Sequence, residues 1–264
     1  MSSSAVRRWL RRFHPAPHAP TRLVCLPHAG GSASFYFPFS QALSTSAEVL
    51  TVQYPGRQER YHEAGLTDLH AMADRIAEAL EAETDGRPLA LFGHSMGAML
   101  AYEVACRVED RGGAVEVLFA SGRRAPSCPH GLESVHTLTD EGLVAELGAM
   151  GGTDTELLTT PGMLRMVLPA IRSDYEAVET YRPRQRPPLR CPVQVLTGDS
   201  DPRVDLDQAA AWARHTVGPF DLRVLSGGHF YLTAHQAAVV DLVRQRLAEP
   251  TALAAGRLPY SNVG

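Results

Sequence analysis

The stretch Pro88–Tyr102, P-L-A-L-F-G-H-S-M-G-A-M-L-A-Y, constrains the fold more tightly than any other part of the chain. Leu89–Phe92 is a short apolar run of the kind a parallel sheet buries on both faces, and Met96–Arg107 carries apolar residues at helical spacing. The G-H-S-M-G between them requires a sharp turn from strand into helix with Ser95 at its apex. Side chains at positions 93 and 97 would collide where strand and helix cross, and the serine must take strained backbone angles. Such a turn pushes the Ser95 hydroxyl beyond the carboxyl edge of the sheet. It also leaves the Met96 amide at a helix N-terminus, where a developing anion is favoured. A Gly-Ser turn that merely closes a strand is the alternative, and the strand-turn-helix context argues against it.

Around this turn the pattern alternates. Strands are predicted at Arg22–Leu26, Glu48–Gln53, Val115–Ala120, Cys191–Thr197 and Asp221–Leu225. Helices are predicted for the segment ending near Leu43, for Thr67–Glu83 with Thr67 as N-cap, and for Thr233–Leu247. Strands alternating with helices define an α/β class with a mostly parallel, doubly wound sheet. Residues 121–190 break the alternation: the connection is far longer than usual and holds helical patterns at Asp140–Met150 and Pro161–Ala177. We expect a helical lid insertion over about residues 132–185, the alternative being an extra structural helical pair. Residues 1–20 are expected to form a flexible arm, 21–249 the folded domain and 250–264 a flexible tail.

Composition removes several function classes. The chain has 264 residues and a net charge of -4, so one large domain is expected and a general nucleic-acid binder is not. Every basic residue is arginine, which excludes a Schiff-base lysine, a P-loop lysine and a Ser-Lys dyad. Cys25, Cys106, Cys128 and Cys191 lack C-x-x-C spacing and are expected to be reduced core residues, implying a cytoplasmic setting. Neither an export signal nor a membrane-spanning run is apparent, and no metal or cofactor motif is present.

A serine hydroxyl becomes a nucleophile when a histidine takes its proton and a carboxylate orients that histidine. Two positions at strand ends supply them in the order such folds use. Asp201 follows the V-Q-V-L-T strand in G-D-S-D, and His229 follows L-R-V-L in S-G-G-H. Asp199 is the rival acid, which could instead brace its turn, and His235 is the rival base, although it sits within a helical pattern. The glycine turn P-H-A-G-G can bring the Ala29 amide opposite that of Met96 to form an oxyanion hole, unless it is a turn without function.

Five blocks together, L-P-H-A-G-G-S-A-S-F-Y, Y-P-G-R, L-F-G-H-S-M-G-A-M-L-A-Y-E, L-T-G-D-S-D and G-G-H-F-Y-L, resemble the stand-alone type II thioesterases that accompany polyketide and non-ribosomal peptide synthases. The resemblance runs from about Leu23 to Leu247. It implies an α/β-hydrolase fold with Ser95, Asp201 and His229 as triad, Ala29 and Met96 as oxyanion donors and a mobile lid. The implied task is editing: hydrolysis of stalled or wrong acyl groups from the phosphopantetheine arm of acyl or peptidyl carrier proteins, without a bound cofactor. Acyl transfer to a second acceptor and non-catalytic acyl binding are the alternatives. Carrier proteins are acidic around the attachment point, which makes Arg123, Arg124, Arg184 and Arg186 candidates for a docking rim, the alternative being solvated loops.

Overall fold

A computed structural model describes residues 8–129, 134–150 and 161–249. Among the described residues, seven strands form one sheet in the order β1-β3-β2-β4-β5-β6-β7. Their ranges are β1 Leu10–Arg11, β2 Thr21–Leu26, β3 Ala47–Val52, β4 Leu89–His94, β5 Val117–Ser121, β6 Val193–Gly198 and β7 Phe220–Leu225. β2 to β7 pair in parallel and β1 alone is antiparallel, matching the doubly wound expectation. The helices are α1 Phe37–Leu43, α2 Leu69–Ala82, α3 Met96–Asp110, α4 Asp140–Met150, α5 Pro161–Thr180, α6 Leu206–Ala210, α7 Tyr231–Ala234 and α8 Gln236–Ala248.

The central strand shows why both faces are covered. Leu91 of β4 joins a core with Met72, Ile76, Met99 and Trp212, whereas Ala90 and Phe92 join Phe39, Phe119 and Val240 on the opposite face. Alternate residues pointing to opposite faces, each apolar, leave no side of β4 for water. Burial also accounts for the thiols: Cys25, Cys106 and Cys191 are free and buried, and loss of hydration pushes the Cys106 thiol up to about 12.

Three expectations change, and others can be followed only in part. Residues 8–20 are not a loose arm: Trp9 and Leu10 are buried, β1 pairs with the β3 edge, and the Arg60 guanidinium lies over the Trp9 ring, 4.7 Å from its centroid. An apolar pair, W-L, set among arginines was sufficient to dock this strap on an open sheet edge. The N-cap of α2 is Asp68, whose carboxylate accepts the Ala71 amide at 3.0 Å, in place of Thr67. The closing helix is divided at His235 into α7 and α8. Finally, of the expected lid, residues 132, 133 and 151–160 fall outside the described residues, as does the tail at 250–264.

The crossing of β4 and α3 is as tight as the glycines promise. A Cβ on Gly93 would stand 2.0 Å from the Gly97 carbonyl oxygen, and one on Gly97 would stand 2.0 Å from the Leu26 carbonyl oxygen. Both obstacles are backbone and cannot rotate away. Gly97→Ala should therefore destabilise the fold by at least about 3 kcal/mol in urea unfolding, the upper range for overpacking; a loss within about 0.5 kcal/mol would show that the helix can move off the strand.

Candidate active site

Ser95 sits between β4 and α3 at φ 55 and ψ -117, a backbone conformation that non-glycine residues rarely adopt. It is held there by its own amide, which donates to the Ser121 carbonyl at 2.8 Å. The hydroxyl lies 2.9 Å from His229 Nε2, and His229 Nδ1 lies 2.9 and 3.1 Å from the two Asp201 carboxylate oxygens. The Asp201 side chain is wholly buried and that of His229 nearly so. An imidazole bonded to a dry carboxylate on one nitrogen and to a hydroxyl on the other can draw the hydroxyl proton and carry the resulting charge.

The loops that bring Asp201 and His229 together are bound to each other. Asp199 accepts the Gly227 amide at 2.9 Å, and the Ser200 amide donates to the Gly227 carbonyl at 3.1 Å. Asp199 thus braces the turn, the alternative role foreseen for it. Gly227, at φ 118, supplies the left-handed turn that lets the loop cross so closely. His235 lies apart from this site, with Nε2 2.9 Å from the Ser226 carbonyl oxygen.

Ala29, Met96, Arg123 and Arg124 line the same cavity as Ser95 and His229; its volume is about 70 Å³. Leu147 and Met150 of α4 and Tyr175, Val178 and Glu179 of α5 supply another wall, so described parts of the insertion border the cavity. Other apolar residues of the insertion have a different task. Leu143 and Leu168 pack with Val135 and Ile171 in a separate small core, and Met166 is exposed. The four candidate docking arginines fall into two separate groups. From Tyr181 the chain runs back along α3, where Tyr181 donates to Glu103 at 2.7 Å, Arg186 pairs with Asp110 at 3.2 Å and the Arg190 amide reaches Glu109 at 3.0 Å. Asp110 is the last residue of α3 and Met96 the first, so Arg186 stands about 20 Å from the serine. Exposed Arg184 lies on the same return path. Neither belongs to a rim around Ser95, because a parallel strand must begin at the opposite edge and the chain has to travel there before β6.

Several residues of the site went unread in the sequence. Arg57, in the Y-P-G-R block, is buried and forms an ion pair with Asp174 of α5; its Nε also donates to the Gly31 carbonyl at 2.8 Å. Asp174, likewise buried, accepts the Gly30 amide at 2.7 Å, next to Ala29. Burial lowers Arg57 to about 10, which leaves it charged at neutral pH. Arg203 pairs with Glu146 of α4, and its amide donates to Asp201 at 2.8 Å. Only Asp174, in the helical stretch L-P-A-I-R-S-D-Y that opens on apolar residues, offered a partner for the first of these pairs.

The strained serine, the parallel sheet and the hydrogen-bonded Ser-His-Asp chain at its carboxyl edge define an α/β-hydrolase. Residues 21–247 match the thioesterase-domain family. Over 226 residues the chain is 52% identical to thioesterase PikA5 of Streptomyces venezuelae, covering 85% of this chain and 80% of that one. It is 50% identical to a probable cadicidin biosynthesis thioesterase of Streptomyces griseus, covering 91% of this chain and 66% of the relative's length. Among solved structures, the type II thioesterase BorB from the borrelidin biosynthetic cluster aligns with a TM-score of 0.86 at 49% identity, over 91% of this chain and 98% of that chain. The chain belongs to the thioesterase-domain family, alongside its stand-alone type II members, and is a thioester hydrolase.

Two further histidines pack beside the site. Burial foremost, then the neighbouring His229 and Arg57, pushes His28 down to about 3. The unfolded chain would bind a proton at its ordinary value of about 6.5, so between those limits unfolding takes up a proton that the folded site refuses. Stability is therefore complete above about pH 6.5 and declines as the pH falls through that window. Lowering the pH from about 7 to about 5 should depress the melting temperature, and less so in His28→Gln; identical pH slopes would show that His28 charges freely in the fold.

Proposed function

We propose that this thioesterase edits a polyketide or non-ribosomal peptide synthase by hydrolysing acyl groups from the phosphopantetheine arm of its carrier proteins, in the cytoplasm. The observation that carries the reading is the unbroken hydrogen-bond chain from Asp201 through His229 to Ser95, opening into the cavity beneath α4 and α5. A relative named for cadicidin biosynthesis and a type II thioesterase from the borrelidin biosynthetic cluster support the substrate class.

In the proposed mechanism Ser95 Oγ attacks the thioester carbonyl carbon while His229 Nε2 takes the hydroxyl proton. Asp201 stabilises the imidazolium, and the amides of Ala29 and Met96 receive the oxyanion. Collapse breaks the carbon-sulfur bond, and His229 returns the proton to the departing pantetheine thiol. Water then attacks the acyl-serine with His229 again as base, releasing the carboxylic acid and restoring the hydroxyl. A carrier protein approaches through the mouth at Arg123 and Arg124, whose cationic side chains suit an acidic partner.

Ser95→Ala and His229→Ala should each lower turnover by on the order of 10⁶ without unfolding the chain. Folded Ser95→Ala retaining a tenth of wild-type hydrolysis would discard the nucleophile. Asp201→Asn should lose far more activity than Asp199→Asn, and the reverse ranking would exchange acid and brace.

Charge steering is tested by kcat/KM for an acyl-carrier protein and for a small acyl thioester from low to high salt. The carrier reaction should slow as screening shortens the field to a Debye length of about 8 Å, while the small substrate should be indifferent. Arg124→Gln should weaken only the carrier reaction, and Arg186→Gln, remote from the mouth, should weaken neither. Equal salt dependence of both substrates would remove the docking surface.

A further inference from the structure

We propose that His94, anchored through Ser121 and Tyr231, is a positioning residue that sets the orientation of the His229 imidazole. The proposal rests on the reading of His229 as the base.

His94 ends β4 immediately before the serine and is completely buried. Its Nδ1 lies 2.9 Å from the Ser121 hydroxyl, which lies 2.7 Å from the Tyr231 hydroxyl. Burial raises the Tyr231 pKa and keeps that phenol protonated, so the serine can donate to one neighbour and accept from the other. The chain fixes the rotation of the His94 ring. That ring packs against three consecutive residues of the base loop, with centroids 5.1 Å from His229, 5.1 Å from Phe230 and 6.3 Å from Tyr231.

This contact supplies what Asp201 cannot. Bonds from Nδ1 to the carboxylate leave the His229 ring free to tilt about that line, and tilt moves Nε2 relative to the serine oxygen. A fixed ring against its face, at an interplanar angle of 45°, removes the freedom. Ser121 serves both partners at once, since its carbonyl receives the Ser95 amide while its hydroxyl holds His94. Gly122 shows how closely the ring is seated: at φ 57, a Cβ there would stand 2.5 Å from His94 Cε1. Burial foremost, with His229 and His28 adding to it, keeps the His94 pKa well below 6.5. The base therefore faces a neutral His94 ring when it becomes charged.

Two variants of the full chain test this by steady-state hydrolysis of an acyl thioester. His94→Phe keeps a flat buried ring but loses the bond to Ser121, and Tyr231→Phe removes only the far hydroxyl. In His94→Phe, kcat should fall by about tenfold to 10²-fold, the effect of a misplacement approaching 1 Å, with KM changed by less than about twofold. Tyr231→Phe should lower kcat by about threefold or more in the same manner. Labelling of Ser95 by a fluorophosphonate should slow in parallel. In a His229→Ala background neither substitution should cause further loss, because both act through that ring. Wild-type kcat in Tyr231→Phe or in folded His94→Phe, a rise in KM alone, or the same fractional loss without His229 would overturn the proposal. Normal turnover in His229→Ala would instead overturn the assignment of the base, and it is read from a different protein.

Discussion

Everything at the site is referred to the place where β4 passes into α3. A serine at φ 55 is held against its own preference, and it stays there because α3 meets bare backbone on both sides of it, at Gly93 of β4 and, through Gly97, at Leu26 of β2. The sheet neighbours complete the restraint, with Ser121 of β5 receiving the serine amide. The loops after β6 and β7 then need only reach a point whose position is already fixed. Their mutual bonds, through Asp199 and Gly227, make them one unit that delivers Asp201 and His229 together.

That turn was the most legible feature of the sequence because its geometry is local: two glycines, one serine, an apolar strand before and a helical pattern after. The alternation of strands and helices, and the strand-end placement of Asp201 and His229, were legible for the same reason. What stayed hidden depends on partners distant in sequence. Arg57 reads as a loop arginine until Asp174 is brought beside it, and His94 reads as a spacer inside a motif until Ser121 and Tyr231 close around it. The arginines after Tyr181 misled in the opposite direction. Their density suggested a surface for a partner, yet Arg186 is directed to the carboxylate at the end of α3 by the need to enter the next parallel strand from below.

Trp9 and Leu10 make a related point about edges. A two-residue antiparallel strand is too short to be announced by periodicity, and its stability comes from the sheet it covers rather than from its own propensity. The neighbouring guanidinium of Arg60 reaches across the indole and bonds backbone carbonyls, including that of Gln53 at 2.7 Å, joining strap and sheet.

Among the described residues, two ion pairs that tie α4 and α5 to the body differ in burial, and so in how firmly each holds its flank of the cavity. Arg57 and Asp174 are both buried, and separating them would strand two charges together with the Gly30 amide; breaking one partner of such a pair typically costs about 3–5 kcal/mol. Arg203 and Glu146 each keep about a fifth to a quarter of their side-chain surface in solvent, where pairs contribute about 1 kcal/mol or less. Thermal energy suffices to part the second pair and not the first. The α5 flank, joined to the Gly30–Gly31 turn, is thus the firmly held side of the cavity, and the α4 flank the loosely held one.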